Sequence, residues 1–456
     1  MTSRNEDLAA RDRRHIWHPF TQMREWMESD PLVIERGEGA TLIDANGIRY
    51  LDGVSSLWTN VHGHRHPTID AAIRDQLDRI AHTTLLGLAS SASIEFADRL
   101  CALLPEPLSR VFFSDNGSTA AEVALKIAFS YFRHRGETGR TSFITFDGAY
   151  HGDTIGSVSV GAIELFHENY RPLLFPTHVL PYPHCYRCPF GLERETCEST
   201  CFAQIERRIE AVAQECVAIV IEPLVQGASG MRKAPPGFLR LLRSLADRHG
   251  LLLIVDEVAT GFGRAGTMFA FEQEDVVPDL LALAKGITGG YLPLAATVVR
   301  EKIFEAFLGE HEEFKTFFHG HTYTGNPLAC AAGLGNLRVF DEERTLEALP
   351  GLVRAMADAL DPLRDHPHVG DIRQTGLMVG IELVRDRATK TPFPLSARAG
   401  HRVCMATRDH GVIIRPLSDV VVLNPPLAVS EDQIRELVSV TARCIDETTQ
   451  ALAIED

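Results

Sequence analysis

No apolar run in the chain approaches the ~20 residues that a membrane-spanning helix requires. The longest, such as residues 251–255, are far shorter, and no membrane association is expected. The opening residues Arg4, Glu6 and Asp7 are charged and no apolar core comes after them, so a secretory leader is not expected and a cytoplasmic location is. Positive charge is in deficit: 45 Lys+Arg against 61 Asp+Glu leave a formal charge of −16. That balance disfavours a polyanion such as nucleic acid as partner. A disulfide framework is also missing its signature, because nine cysteines in a long chain is an odd number and points to reduced thiols. No internal repeat, low-complexity tract or long Gly/Ser linker interrupts the sequence.

What remains is an ordinary globular composition, 45% hydrophobic and 23% charged over 456 residues, which at roughly 150 residues per domain allows two or three domains. Short apolar, β-branched or aromatic runs at 111–114, 142–146, 217–221 and 251–255 alternate with amphipathic stretches. The alternation predicts an α/β domain whose largely parallel sheet is buried on both faces. The pattern changes near residue 340. A helix-like stretch at 342–364, short strands at 376–383 and 412–415 and a final helix at 431–447 predict a smaller α+β domain. The expected division is an N-terminal segment 1–65, a large domain 66–338 and a small domain 339–456.

Several segments have the composition that chemistry needs. At 112–122 a strand meets the turn Asp115-Asn116-Gly117-Ser118 and then an Ala-rich helix, with Thr119-x-x-Glu122 matching a capping box. Free N–H groups at such a helix start, with the Ser118 and Thr119 hydroxyls, suit a phosphate or merely cap the helix. The run 251–255 ends in Asp256-Glu257, and ligands of open α/β sheets gather at the carboxyl ends of strands. Lys285 comes after another apolar run and precedes a Gly-rich turn, where desolvation lowers a lysine's pKa and makes it nucleophilic. Residues 261–266 read G-x-G-x-x-G, but residues 267–274 are aromatic and irregular and Pro278 interrupts the stretch beyond them, which argues against a dinucleotide site. Cys185, Cys188, Cys197 and Cys201 have spacings compatible with zinc or with free thiols in an ordered insertion. No metal is expected there, and His62, His64 and His66 are read as structural.

Taken together, Asp115-Asn116-Gly117-Ser118, Tyr150-His151-Gly152, Glu222-Pro223 with Gln226-Gly227, Asp256-Glu257-Val258, the 260–264 turn, Lys285-Gly286 and Thr322-Tyr323-Thr324-Gly325-Asn326-Pro327 carry a resemblance. In order and spacing the chain resembles the class III pyridoxal-phosphate aminotransferases of fold type I over nearly its whole length. Within the class, His18-Pro19-Phe20-Thr21-Gln22-Met23, His319-Gly320-His321-Thr322 and Arg415-Pro416-Leu417 are similar to members that convert 8-amino-7-oxononanoate to 7,8-diaminononanoate in biotin synthesis. Those members usually take the amino group from S-adenosylmethionine.

The resemblance implies roles. Lys285 is the implied Schiff-base lysine and proton shuttle, and Asp256 the implied partner of the pyridine nitrogen. Gly117 and Ser118 are implied at the phosphate, Tyr150 against the ring face, and Glu222 and His321 near the cofactor. Thr322 is implied to reach the phosphate of a neighbouring subunit, hence a homodimer with shared sites acting on small molecules. Arg415 is the implied clamp for the substrate carboxylate, with Phe20, Trp58, Tyr150 and Gly320 around the substrates. Two residues depart from the adenosylmethionine-using pattern: Phe20 stands where a tyrosine is usual, and Leu57 precedes Trp58 in place of a second tryptophan. With 82–87 and 315–321 resembling lysine-using relatives, lysine is a second candidate donor. The rival readings are another class III ω-aminotransferase using a diamine or β-amino acid with pyruvate, and a metal-binding interaction protein built on the cysteine loop.

Overall fold

The computed structural model describes residues 4–194 and 196–455. Its centre is a seven-stranded sheet of β1 (Leu108–Ser114), β2 (Ser142–Phe146), β3 (His178–Leu180), β4 (Cys216–Ile221), β5 (Leu252–Asp256), β6 (Leu280–Leu283) and β7 (Ala295–Arg300), in the spatial order β1-β7-β6-β5-β4-β2-β3. Every neighbouring pair is parallel except those of β7, which runs antiparallel to both β6 and β1. The four strands expected from sequence are all present; β3, β6 and β7 complete the sheet. Their alternation explains the burial. Leu252 and Ile254 pack on one face with Val123 and Ile127 of the helix Gly117–His134, while Leu253 and Val255 pack on the other with Leu242 and Leu245 of the helix Phe238–His249. Burial of each such side chain contributes about 1.5–3 kcal/mol, and a sheet covered on both faces reads as continuous apolar runs.

Beyond the central sheet, Ile34–Glu38, Thr41–Asp44 and Arg49–Asp52 form an antiparallel set that Val412–Ile413 extends in parallel, so the two ends of the chain share one sheet. A second four-stranded antiparallel sheet contains Val369–Thr375, Met378–Leu383, Val420–Leu423 and Arg415–Leu417. The helical stretch expected at 342–364 is divided. Pro327–Glu342 ends before Arg344, whose φ of +52° turns the chain, and Thr345–Leu360 begins anew. The last helix, Glu431–Glu455, is longer than its pattern suggested.

Candidate active site

The parallel strands deliver their chemistry at one edge. Asp256 is the last residue of β5, Glu222 comes directly after β4, and Lys285 lies just past β6, whose register pairs Asp256 with Ala282. Asp115 succeeds β1, and the 146–151 turn after β2 brings Tyr150 and His151 to the same edge. These residues line one cleft of about 430 Å³ with Trp58, Gly117 and Ser118.

Inside the cleft, Asp256 is buried; its Oδ2 accepts from Nδ1 of His151 at 2.7 Å and its Oδ1 from the Val258 N–H at 2.9 Å. Burial lowers the pKa of His151, but the hydrogen bond and charge of Asp256, with Glu222, outweigh it and leave the value raised. Glu222 accepts from the N–H groups of Gly227 (2.9 Å) and Tyr150 (3.1 Å). Burial pushes it up to about 7, with His151 opposing and Asp256 adding. Lys285 is half-buried as a whole residue, but its amine sits deep, and this desolvation lowers its pKa against the pull of Asp256, Glu222 and Asp153. Its Nζ lies 5.4 Å from the Trp58 ring. With φ of +46°, Lys285 occupies a backbone region that costs a non-glycine residue on the order of 1–3 kcal/mol and that clusters at functional sites. The Tyr150 hydroxyl donates to Asp153 at 2.7 Å; burial is the main reason that its pKa is raised.

The helix start differs in detail from the motif. Asn116, not Thr119, is the cap: its side chain accepts from the Thr119 N–H, while the Thr119 hydroxyl accepts from the Asn116 N–H, both at 3.0 Å. Glu122 instead accepts from the Gly156 N–H at 2.7 Å, fixing the next loop. Asn116 wins the cap because its short amide reaches N3 from a β-region backbone, as capping favours. Among the described residues, no acceptor meets the N–H of Gly117 or Ser118. A Cβ on Gly117 would lie 2.6 Å from Val258, and one on Gly152 (φ +120°) 2.0 Å from the Ser118 hydroxyl, so both glycines keep the pocket open.

Of the residues expected from sequence, the fold brings Gly117, Ser118, Tyr150, Glu222, Asp256, Lys285 and Trp58 together. Phe20, Gly320, His321, Thr322 and Arg415 lie outside this lining. His321 approaches it, with Nδ1 2.8 Å from Asp115 Oδ2. Phe20 is exposed, its ring 5.2 Å from Phe166, which in turn lies 6.3 Å from Tyr150. Gly320, Thr322 and Arg415 are exposed on the surface of this chain. Sequence reasoning missed His151 as a partner of Asp256, although it stands inside the Tyr150-His151-Gly152 motif. It also missed Asp153, whose signal is only its distance of three residues from Tyr150. Residues 261–266 form a turn with no helix opening from it, and Arg264 is buried there. His64 and His66 face Asp52 and Glu343, respectively. Among the described residues, the one set of three potential metal ligands within 4.8 Å is His410, Cys444 and Glu447, which does not include the 185–201 cysteines. That loop is tied to the strand Met378–Leu383 by Arg187 and Glu382 at 2.7 Å.

The family model for class-III aminotransferases matches residues 23–445, and the chain belongs to that family. It is 59% identical over 450 residues to the adenosylmethionine-8-amino-7-oxononanoate aminotransferase of Nitratidesulfovibrio vulgaris, covering 98% of this chain and 83% of the relative. The crystal structure of the enzyme of that name from Methanocaldococcus jannaschii superposes with a TM-score of 0.92 at 42% identity, over 96% of this chain and 98% of that one. The ω-transaminase of Pseudomonas jessenii, solved in complex with PMP, gives 0.93 at 30% identity over 98% and 99%.

The family's cofactor is pyridoxal phosphate, and the cleft fits it. It offers unpaired N–H groups at the start of an 18-residue helix for a phosphate, a glycine-lined floor, a buried carboxylate backed by a histidine, and a desolvated amine.

Proposed function

We propose that this protein transfers an amino group to 8-amino-7-oxononanoate, forming 7,8-diaminononanoate for biotin synthesis, with S-adenosylmethionine as donor. The observation that carries the chemistry is the desolvated Lys285 amine set in one cleft with the His151-backed Asp256. The names of the relatives similar along nearly the whole chain supply the substrates.

Bound pyridoxal phosphate supplies an aldehyde that takes up amines and a ring that accepts electrons. Gly117 and Ser118 would hold its phosphate, and Tyr150 would lie against its ring. Asp256 would face the ring nitrogen and hold a proton there, with His151 hydrogen-bonded behind it. Lys285, its affinity for protons reduced by burial, is the group that gives up and takes back a proton at the substrate carbon. Glu222 fixes the Tyr150 and Gly227 backbone around the cleft. Arg415 would bind the substrate carboxylate as a planar clamp.

The working unit under this reading is a cytoplasmic homodimer. Gly320 and Thr322, near the exposed Phe318 and Tyr323, stand free on the surface of one chain, as residues meant for a partner's site would. Lysine is the second donor to test, because Phe20 lacks a phenol and Leu57 lacks an indole. The deciding experiment gives the purified holoenzyme 8-amino-7-oxononanoate or pyruvate as acceptor. Faster turnover of 8-amino-7-oxononanoate supports the reading, and preference for pyruvate replaces it with a broader ω-aminotransferase.

A further inference from the structure

Trp58 reaches the cleft from an awkward stretch of backbone. Ser55, Ser56 and Trp58 all have positive φ, at +52°, +62° and +62°, and none is glycine. A turn of this kind persists only where its surroundings over-determine it. Those surroundings are polar and buried. Asp52, fully buried at the end of Arg49–Asp52, accepts at Oδ1 from the Ser56 N–H (2.9 Å) and at Oδ2 from the Ser56 hydroxyl (3.0 Å) and Nε2 of His64 (3.0 Å). The other ring nitrogen of His64 meets the Asn60 amide nitrogen at 3.0 Å. The amide orientation is set in turn, because Asn60 Oδ1 accepts from the Gly63 N–H at 2.7 Å. His64 is thereby held as the tautomer that donates to Asp52 and accepts from Asn60.

Arg264 closes the arrangement. It is 2% exposed, donates to the Asn60 carbonyl at 2.8 Å and to the Pro425 carbonyl, and the charge of Asp52 opposes the effect of its burial. The Ser55 hydroxyl donates to the Asn424 carbonyl at 2.7 Å. The turn is therefore pinned to the glycine-rich turn of the large sheet and to the segment after Val420–Leu423. Its end point is Trp58, stacked above Gly227, where a Cβ would lie 3.0 Å from the indole, and beside the Lys285 amine.

We infer that Asp52, His64, Asn60 and Arg264 are positioning residues that hold Trp58 over Lys285, so that the fit of substrates in the cleft depends on a network none of whose members lines it. The inference rests on the aminotransferase reading for its kinetic consequence, though not for its structural one.

The test uses holoenzyme in a Trp17→Phe/Trp26→Phe background, where Trp58 is the one indole left of three. His64→Ala should increase acrylamide quenching of Trp58 by about twofold as the ring loosens. Ser56→Ala, which removes a hydroxyl bonded to Asp52, should move it in the same direction. His64→Gln, which restores a donor to Asp52, should return it toward the parent. In the native-tryptophan enzyme, His64→Ala should lower kcat/KM by roughly ten- to a hundredfold, the scale of a 1 Å misplacement. Added to Trp58→Phe, it should lower it no further. Unchanged quenching in both His64→Ala and Ser56→Ala overturns the inference, as does a full kinetic effect of His64→Ala without Trp58. A parent enzyme that ignores 8-amino-7-oxononanoate would fault the substrate reading alone, since the quenching comparison needs no substrate.

Discussion

His151 donates from Nδ1 to Oδ2 of Asp256 at 2.7 Å, with both residues buried and Nε2 of His151 without a hydrogen-bond partner among the described residues. The pair places a histidine whose pKa is raised by its carboxylate partner behind that carboxylate in the cleft.

The pair should be visible in stability. The raised pKa of His151 means that its contribution is complete below the ordinary histidine value and is lost as pH rises through the higher folded one. His151→Ala leaves Asp256 buried without its partner, a change of about 3–5 kcal/mol. The difference in melting temperature between wild type and this variant should therefore be large near pH 6 and shrink at alkaline pH. A difference that grows with pH contradicts the assignment.

Under the proposed function, Lys285→Ala should abolish turnover while leaving a folded protein, because one amine would both attach the cofactor and move the proton. Circular dichroism and turnover assays check both halves. Retention of a borohydride-trappable cofactor with appreciable activity would place the catalytic lysine elsewhere.

Asp256 and Lys285 were legible in sequence because each stands at the end of an apolar strand, and strand ends are where such folds gather their ligands. Glu222 was reached only through the family resemblance, although it too stands directly after a strand. His151 was visible only as part of a motif, since nothing local shows that residue 151 will meet residue 256. The support of Trp58 was not legible at all: Asp52, Asn60, His64 and Arg264 meet through tertiary contacts, and the G-x-G-x-x-G run looked like a failed nucleotide motif when its arginine is a buried tie. The missed strands β3 and β7 lack a long apolar run, β3 having three residues and β7 beginning with two alanines.

Arg415→Ala should raise KM for 8-amino-7-oxononanoate far more than KM for the donor. The penalty should be about 1.5–3 kcal/mol, that of losing a hydrogen bond to a charged group. Steady-state kinetics with each substrate varied in turn would show it. Equal effects on both substrates would make Arg415 structural.

Phe20→Tyr adds the phenol that Phe20 lacks. A neutral hydrogen bond contributes about 1 kcal/mol, so the preference for adenosylmethionine over lysine should increase by about fivefold. Competition between the two donors measures this ratio, and a wild type that ignores lysine and is unmoved by the substitution would remove Phe20 from donor choice.

Amino transfer to 8-amino-7-oxononanoate is tested most directly by tracking the nitrogen. Purified enzyme is given 8-amino-7-oxononanoate with adenosylmethionine carrying ¹⁵N at its amino group, and the product is analysed by mass spectrometry. Wild type should yield 7,8-diaminononanoate bearing the label, and Lys285→Ala should yield none. Unlabelled 8-amino-7-oxononanoate recovered intact from wild type with both adenosylmethionine and lysine as donors, alongside active amination of pyruvate, would contradict that function.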